Sequence, residues 1–418
     1  MRRLGRWAAL AVLAGVLICR TVACTEQHKP AAPPPVGTPL VRVRLLAAQE
    51  EVALRGSLAP TVKTDSEAAA LRLNLPPQKD VQLTLIDQVW RIGGVAVPGT
   101  GVLAMWQTDD ATVAVNGRTY RGSFRFVPTG ANTFDVVNDV DVDSYVKSVV
   151  PREMYRGWGE EAYKAQAIVA RTYALYEAKT NGAKRHWDLY PDTRSQVYGG
   201  YEDESGKSRD AVDHTAGVVL AYGQRGQERI FKAYFSACCG GVTQSAADAF
   251  GENYFIPLSD QNLRGLCSPA DNYNWGPIEI TRDELTARLR TWGQRRNHGV
   301  RDTALVSKVE IQLTNRFNRP IRFVVTDANE VRYSLGGEEL RNAINAGTRK
   351  ESPARLLSSF VKVVNDPGSD VIRFVEGHGH GHGVGLCQWC SEIRSEAGMR
   401  HEDIVLSAYP RARLVRAY

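Results

Sequence analysis

The sequence predicts an α+β fold: a β-rich N-terminal part, a long helix that carries the active-site region, and mixed strands and short helices after it. Three observations predict this. Several short runs between residues 41 and 145 alternate apolar and polar side chains with period two. Apolar residues then recur at helical spacing from about Trp158 to Lys179. After that, short strand-like and helix-like runs mix without a fixed-period repeat.

The first 24 residues read as an export signal. Arg2, Arg3 and Arg6 precede an apolar stretch from Trp7 to Ile18, and Thr21-Val22-Ala23-Cys24 follows as a processing site. The expectation is an exported protein with Cys24 as its lipid-bearing first residue; an ordinary cleaved leader or an uncleaved anchor stays open. No long uninterrupted apolar run follows, so membrane contact is expected only through this N-terminal anchor or lipid. Of the formal charge of +6, four units sit on Arg2, Arg3, Arg6 and Arg20, which leaves +2 for a chain cut before Cys24. Near neutrality gives no case for nucleic acid and is compatible with a sugar polymer as ligand.

Residues 25–40 form a Pro-rich linker around Ala31-Ala32-Pro33-Pro34-Pro35, extended enough to hold a folded body off a membrane or wall. The β-rich part spans 41–145. Val41-Arg42-Val43-Arg44-Leu45, Gln82–Leu85, Thr112–Val115, Phe124–Val127 and Phe134–Val137 are its strand-like runs, and Asn116-Gly117 is a hairpin turn signal. The remainder, 146–418, opens with the long helix. There Ala165, Ile168, Val169, Thr172, Leu175 and Tyr176 share one face, and Asn181-Gly182 ends it. Thr281 is a candidate N-cap for a second helix. Strands are expected at Val309–Leu313 and Ile321–Val325, and a short helix at Glu338–Ile344.

Seven cysteines are present. Cys19 and Cys24 lie in the signal, leaving Cys238, Cys239, Cys267, Cys387 and Cys390, an odd number that cannot all pair within the chain. Export favours disulfides. The odd count, the Cys-x-x-Cys spacing of Cys387 and Cys390, and the neighbouring His378, His380 and His382 favour a metal. Two readings therefore stand. One is a structural zinc on Cys239, Cys267, Cys387 and Cys390; the other is disulfides Cys239–Cys267 and Cys387–Cys390 with Cys238 free.

Four blocks, in order, resemble the SpoIID family. They are Tyr145–Met154 with Ala165–Ala174 after it, Ser195–Gly200 with Thr215–Leu220, Ala233–Gly241, and Gly381–Trp389. The resemblance implies cleavage of the bond between N-acetylmuramic acid and N-acetylglucosamine in peptidoglycan glycan strands. It implies that Glu153 is the catalytic acid and base and that His382 is a site residue. In the sporulation members the preferred strands have lost their stem peptides. Some relatives hold a zinc, and some enhance a wall amidase, which makes a non-catalytic wall-binding modifier the alternative function.

The chemistry of one carboxylate fits that role. Hydrolytic glycosidases generally need two. In a lytic transglycosylase a single Glu protonates the glycosidic oxygen. It then takes the proton from the muramic acid 6-hydroxyl, which closes a 1,6-anhydro ring. No cofactor is required for this catalysis. The acid form at neutral pH needs a raised pKa, for which Val149, Val150, Met154 and Tyr155 are suitable lining. From the segment alone, Pro151 would open a helix and Glu153 would serve its N-terminus; the family match reverses that choice. Gln166 and Arg171 flank the apolar face of the long helix and are candidates for binding sugar hydroxyls. Tyr198 is a candidate for stacking on a sugar, Gln388 and His382 for binding it. His378 and His380 depart from the family pattern, as do Cys387 and Cys390. A metal-dependent hydrolase is a third reading, but no His-Glu-x-x-His segment occurs.

Overall fold

The computed structural model describes residues 37–56, 60–66, 71–72, 79–106, 111–182, 184–349, 352 and 354–418. The export signal with Cys19 and Cys24, and the linker up to residue 36, lie outside the described residues. The fold is α+β, as the sequence predicts.

The β-rich part forms two six-stranded sheets. In one, strand Leu40–Gln49 lies on Phe134–Asp141, followed by Ser123–Pro128, Leu103–Trp106, Thr61–Thr64 and Leu71–Arg72. The other runs Arg118–Tyr120, Val113–Val115, Glu51–Gly56, Val81–Ile86, Val89–Ile92 and Val95–Ala96. Period-two alternation does its expected work: Val41, Val43, Val52, Leu54, Leu83, Leu85, Phe124 and Phe126 all turn into one core. Trp90 sits in it edge-on to Phe134 at 5.0 Å, its indole N–H donating to the Gly101 carbonyl. Asn116 and Gly117 both take positive φ between two short strands, as the hairpin signal requires.

Two helices close this core and carry the site. Helix α1 (Val142–Glu153) is capped by Asp141, which accepts from the Ser144 amide. It buries Tyr145, Val146, Val149 and Val150 in the same core as the strands. Helix α2 (Glu160–Asn181) departs from the one-faced helix expected from its spacing. Its residues from Ala165 to Ala174 are all buried, because α1 and α3 (Gly206–His214) cover one side and strand Val218–Tyr222 and α8 (His401–Ala408) the other. A helix buried all round needs small residues for close approach, which accounts for Ala165, Ala167, Ala170 and Ala174.

The expected later elements are present. After a short helix that the sequence reading did not expect, α4 (Ala246–Phe250), they are α5 (Arg282–Arg296) capped by Thr281, strands Val306–Thr314 and Pro320–Asp327, and α6 (Gly337–Ile344). These last four share a second core around Phe323, Leu285 and Leu340. The Gly-His segment runs into α7 (Gln388–Glu396). Within it Gly379, Gly381, Gly383 and Gly385 all have positive φ. A Cβ on Gly383 would fall 2.4 Å from the Arg319 guanidinium, and one on Gly385 2.1 Å from the Tyr234 carbonyl oxygen.

Candidate active site

Glu153 stands at the end of α1, not at a helix start. Pro151 occupies the last turn, and the Met154 amide closes the helix on the Val150 carbonyl. The sequence-based placement of Pro151 at a first helical position is thereby corrected. Pro151 has no N–H to give the Lys147 carbonyl, so the last turn lacks that bond. The consequence for Glu153 is electrostatic: a carboxylate at a C-terminus faces the negative end of the helix dipole.

The Glu153 carboxyl is pushed above its ordinary value, chiefly by burial. Two groups oppose this. The Val197 amide donates to Oε1 at 3.2 Å, and the Gln388 side chain acts from the first position of α7. Gln388 is buried, and its Nε2 makes no hydrogen bond of ordinary geometry among the described residues. The amide therefore lies close to the acid without forming a hydrogen bond of ordinary geometry to it. No second carboxylate enters this balance. Arg152, the next residue, turns instead to Asp203.

Val197 is held in place by its neighbours. The Gly199 amide donates to Ser148 Oγ on α1, the Tyr145 hydroxyl to Gln196 Oε1, and Tyr198 Oη to Asn138 Oδ1. Three aromatic rings, on residues near Glu153 and Gln388 in the chain, meet one another. Tyr155 and Trp158 meet at 5.0 Å, Trp158 and Trp389 at 5.1 Å, and Tyr155 and Trp389 at 6.0 Å. Tyr155 is 57% exposed while Trp158 is 8% exposed, so Tyr155 offers a free surface backed by a buried ring.

The structure therefore brings Glu153 and Gln388 together and leaves other candidates elsewhere. Arg171 is wholly buried: it pairs with Asp143 at 2.7 Å and donates to the carbonyls of Val212 and Val218, tying α2 to α1, α3 and the next strand. Tyr198 is core, packed on Tyr145 at 5.0 Å. Gln166 is also fully enclosed, with neither side-chain polar atom bonded among the described residues. His382 rests against Tyr234 and Phe250. Its Nδ1 accepts from the Val384 amide, and burial lowers its pKa to about 4, so the ring is neutral near pH 7. His378 lies between Tyr273 and Phe360, and His380 beside Asn272.

The four cysteines do meet. The Sγ atoms of Cys239, Cys267, Cys387 and Cys390, all buried, lie within 4.8 Å of one another. Cys239 Sγ is 3.5 Å from Cys267 Sγ and 3.9 Å from Cys390 Sγ. A tetrahedral zinc with sulfur about 2.3 Å away sets its sulfurs about 3.7–3.8 Å apart, whereas a disulfide needs about 2.05 Å. The donor set fits a soft tetrahedral cation. Among the described residues no imidazole belongs to this gathering. Among the thiols, hydrogen bonds led by that from Cys238 push Cys267 down, and Cys238 itself is pushed up.

Sequence reasoning missed the Val197 amide, which carries no side-chain signal, and Trp158. It also passed over Arg319, whose partners are backbone carbonyls far away in the chain. Trp389 lay inside a quoted block and could have been read as Gln388's aromatic neighbour.

Comparison with known proteins finds similarity over part of the site. Residues 130–222 match the SpoIID family model, described as stage II sporulation protein. This segment is similar to that family. That segment holds Glu153, Val197 and both buried helices, whereas Gln388 and the four cysteines lie outside the matched residues. An uncharacterized protein of Brachyspira hyodysenteriae (strain ATCC 49526 / WA1) is 38% identical over 161 residues, 38% of this chain and 42% of that protein. The amidase enhancer of Bacillus subtilis (strain 168) is 25% identical over 300 residues, 63% of this chain and 39% of its own. The same organism's stage II sporulation protein D is 30% identical over 142 residues, 31% of this chain and 40% of its own. The matches thus span about two fifths of each of these relatives.

Proposed function

We propose that this chain is an exported cell-envelope protein that acts as a peptidoglycan lytic transglycosylase with Glu153 as general acid and base. The observation that carries the reading is the environment of Glu153. Its carboxyl is pushed toward the protonated form and touched by one backbone donor, and no second carboxylate shares in its balance. That suits a reaction whose nucleophile comes from the substrate. The protonated carboxyl gives its proton to the oxygen between muramic acid and glucosamine. The carboxylate then receives the proton of the 6-hydroxyl as that oxygen bonds to the anomeric carbon. The Val197 amide stabilises the carboxylate formed between the two transfers. Tyr155, with Trp389 beside it, offers an aromatic face for a sugar ring. The SpoIID match supports a cell-wall role, and the Arg-rich, apolar N-terminus supports export. No helix of the described residues is long and apolar enough to cross a membrane.

A second reading has its own observation. The alignment with the amidase enhancer covers 63% of this chain, which favours a wall-binding partner of an amidase. One experiment separates the two. Purified glycan strands are incubated with the protein and the products weighed by mass spectrometry. The transglycosylase gives muropeptide or disaccharide ends lighter by one water than hydrolysis would. The modifier gives no new ends alone and changes only the amidase's rate.

A further inference from the structure

We propose that Glu392 and Lys207 are positioning residues of the site: together they fix residues 155–159, and with them the Tyr155, Trp158 and Trp389 rings, as a platform for a sugar ring. Residues 155–159 join the end of α1, where Glu153 stands, to the start of α2. They lie outside both helices, so their backbone groups need partners from elsewhere. Three of those groups are met by two side chains distant in the chain. Glu392 Oε2, on α7, accepts from the Gly159 amide at 2.8 Å. Lys207 Nζ, in the first turn of α3, donates to the carbonyls of Arg156 at 2.9 Å and Trp158 at 2.7 Å. The Tyr155 carbonyl takes the Tyr163 hydroxyl and the Trp158 amide, both at 3.1 Å.

The bond from Glu392 also joins two helices. Gly159 is the N-cap of α2 and has no side chain to cap with, so Glu392 supplies an acidic cap from another helix. A Cβ on Gly159 would fall 2.2 Å from Ser395 Oγ, so α7 rests directly on this backbone. Gln388 lies one helical turn before Glu392 on α7, with Trp389 next to it. The same bond therefore ties the helix that carries Gln388 and Trp389 to the segment that carries Tyr155 and Trp158. Their rings meet across that junction, Trp158 with Trp389 at 5.1 Å and Tyr155 with Trp389 at 6.0 Å. Glu392 is buried, which pushes its carboxyl up, and the Gly159 amide opposes this. Its partner is a backbone amide, and it takes no part in the balance at Glu153.

The sugar platform rests on the proposed function; the hold on residues 155–159 does not, and the test reads both. In the full chain, Glu392→Leu should speed hydrogen exchange at the Gly159 amide about fivefold or more, the effect of losing a helix cap. It should raise the Kd for purified glycan oligosaccharides about three- to tenfold. KM should rise with it while kcat for anhydro ends stays near wild type. Glu392→Gln keeps an acceptor for the Gly159 amide and should restore exchange, Kd and KM. Should Glu392→Leu fail to fold, Lys207→Met should raise the same Kd by freeing the Arg156 and Trp158 carbonyls. Unchanged exchange in Glu392→Leu would overturn the hold. Faster exchange with an unchanged Kd would overturn the platform. A fall in kcat for Glu392→Gln at unchanged Kd would put Glu392 in the chemistry and overturn its positioning role. The expected changes in exchange and Kd, in a chain that releases no anhydro ends, would support the platform and contradict only the catalytic reading.

Discussion

The Val197 amide nitrogen lies 3.2 Å from Glu153 Oε1 and donates to it. This hydrogen bond joins the end of α1 to a loop 44 residues later in the chain. It leaves the acid only partly satisfied, since burial still pushes its pKa up. A group in that state keeps its proton to a higher pH than an ordinary carboxyl and has a donor for the charge that remains once the proton is given.

The sign of the shift sets the pH response. Glu153 binds its proton more tightly folded than unfolded, where the ordinary value is 4.5. Its contribution to stability is full below 4.5 and is lost as pH rises through the folded value. Activity that needs the protonated acid should fall over the same upper limb. Urea unfolding from pH 4 to pH 8 should therefore show the wild type losing stability relative to Glu153→Gln. A difference that is flat across that range would contradict the shift.

Arg171→Met separates a structural tie from a sugar contact. The substitution leaves Asp143 as an unpaired buried charge, which costs about 3–5 kcal/mol. Thermal unfolding should come at a much lower temperature, while the KM of the remaining folded protein for glycan stays unchanged. An unaltered unfolding temperature with a raised KM would return Arg171 to the binding surface.

These two residues also show what the sequence made legible. Period-two alternation marked strands such as Leu40–Gln49 and Ser123–Pro128, where one face meets a core and the other is less covered, whereas the first five residues of Phe134–Asp141 are all buried. The long helix was visible as a helix, but the spacing of Ile168 and Val169 suggested one covered face. The Ala residues that allow cover on the other side carry little hydrophobic signal of their own. Glu153 was found through its motif, and its helix end was misread because Pro151 suits a helix start in general and is tolerated at an end here. Arg171 and Tyr198 looked available because a sequence does not show which polar groups will find partners. Their partners Asp143 and Asn138 lie 28 and 60 residues away. The cysteine gathering was legible from type and count, since few arrangements accommodate five thiols.

Tyr155→Ala should weaken glycan binding with little effect on folding. Tyr155 is exposed, and an aromatic face lost from a ring contact costs about 0.5–1.5 kcal/mol, roughly three- to tenfold in KM. Steady-state kinetics on purified strands would measure this; an unchanged KM would remove Tyr155 from the sugar path.

His382 should act as an acid-sensitive part of the fold. Burial lowers its pKa from 6.5 to about 4. Its contribution to stability is full above 6.5 and is lost as pH falls through 4. Chemical unfolding at pH 7 and pH 4.5 should show a larger loss for the wild type than for His382→Gln. Equal losses would mean that the ring takes a proton as readily folded as unfolded.

The most direct measurement of the catalytic account is mass spectrometry of glycan products from wild type and Glu153→Gln side by side. The substitution keeps size and hydrogen bonding but removes the titrating proton, so the account predicts 1,6-anhydro ends from the wild type. It predicts a loss of roughly 100-fold or more in the variant, with an unfolding midpoint close to wild type when both are measured at low pH. Anhydro ends released by Glu153→Gln at the wild-type rate would contradict it.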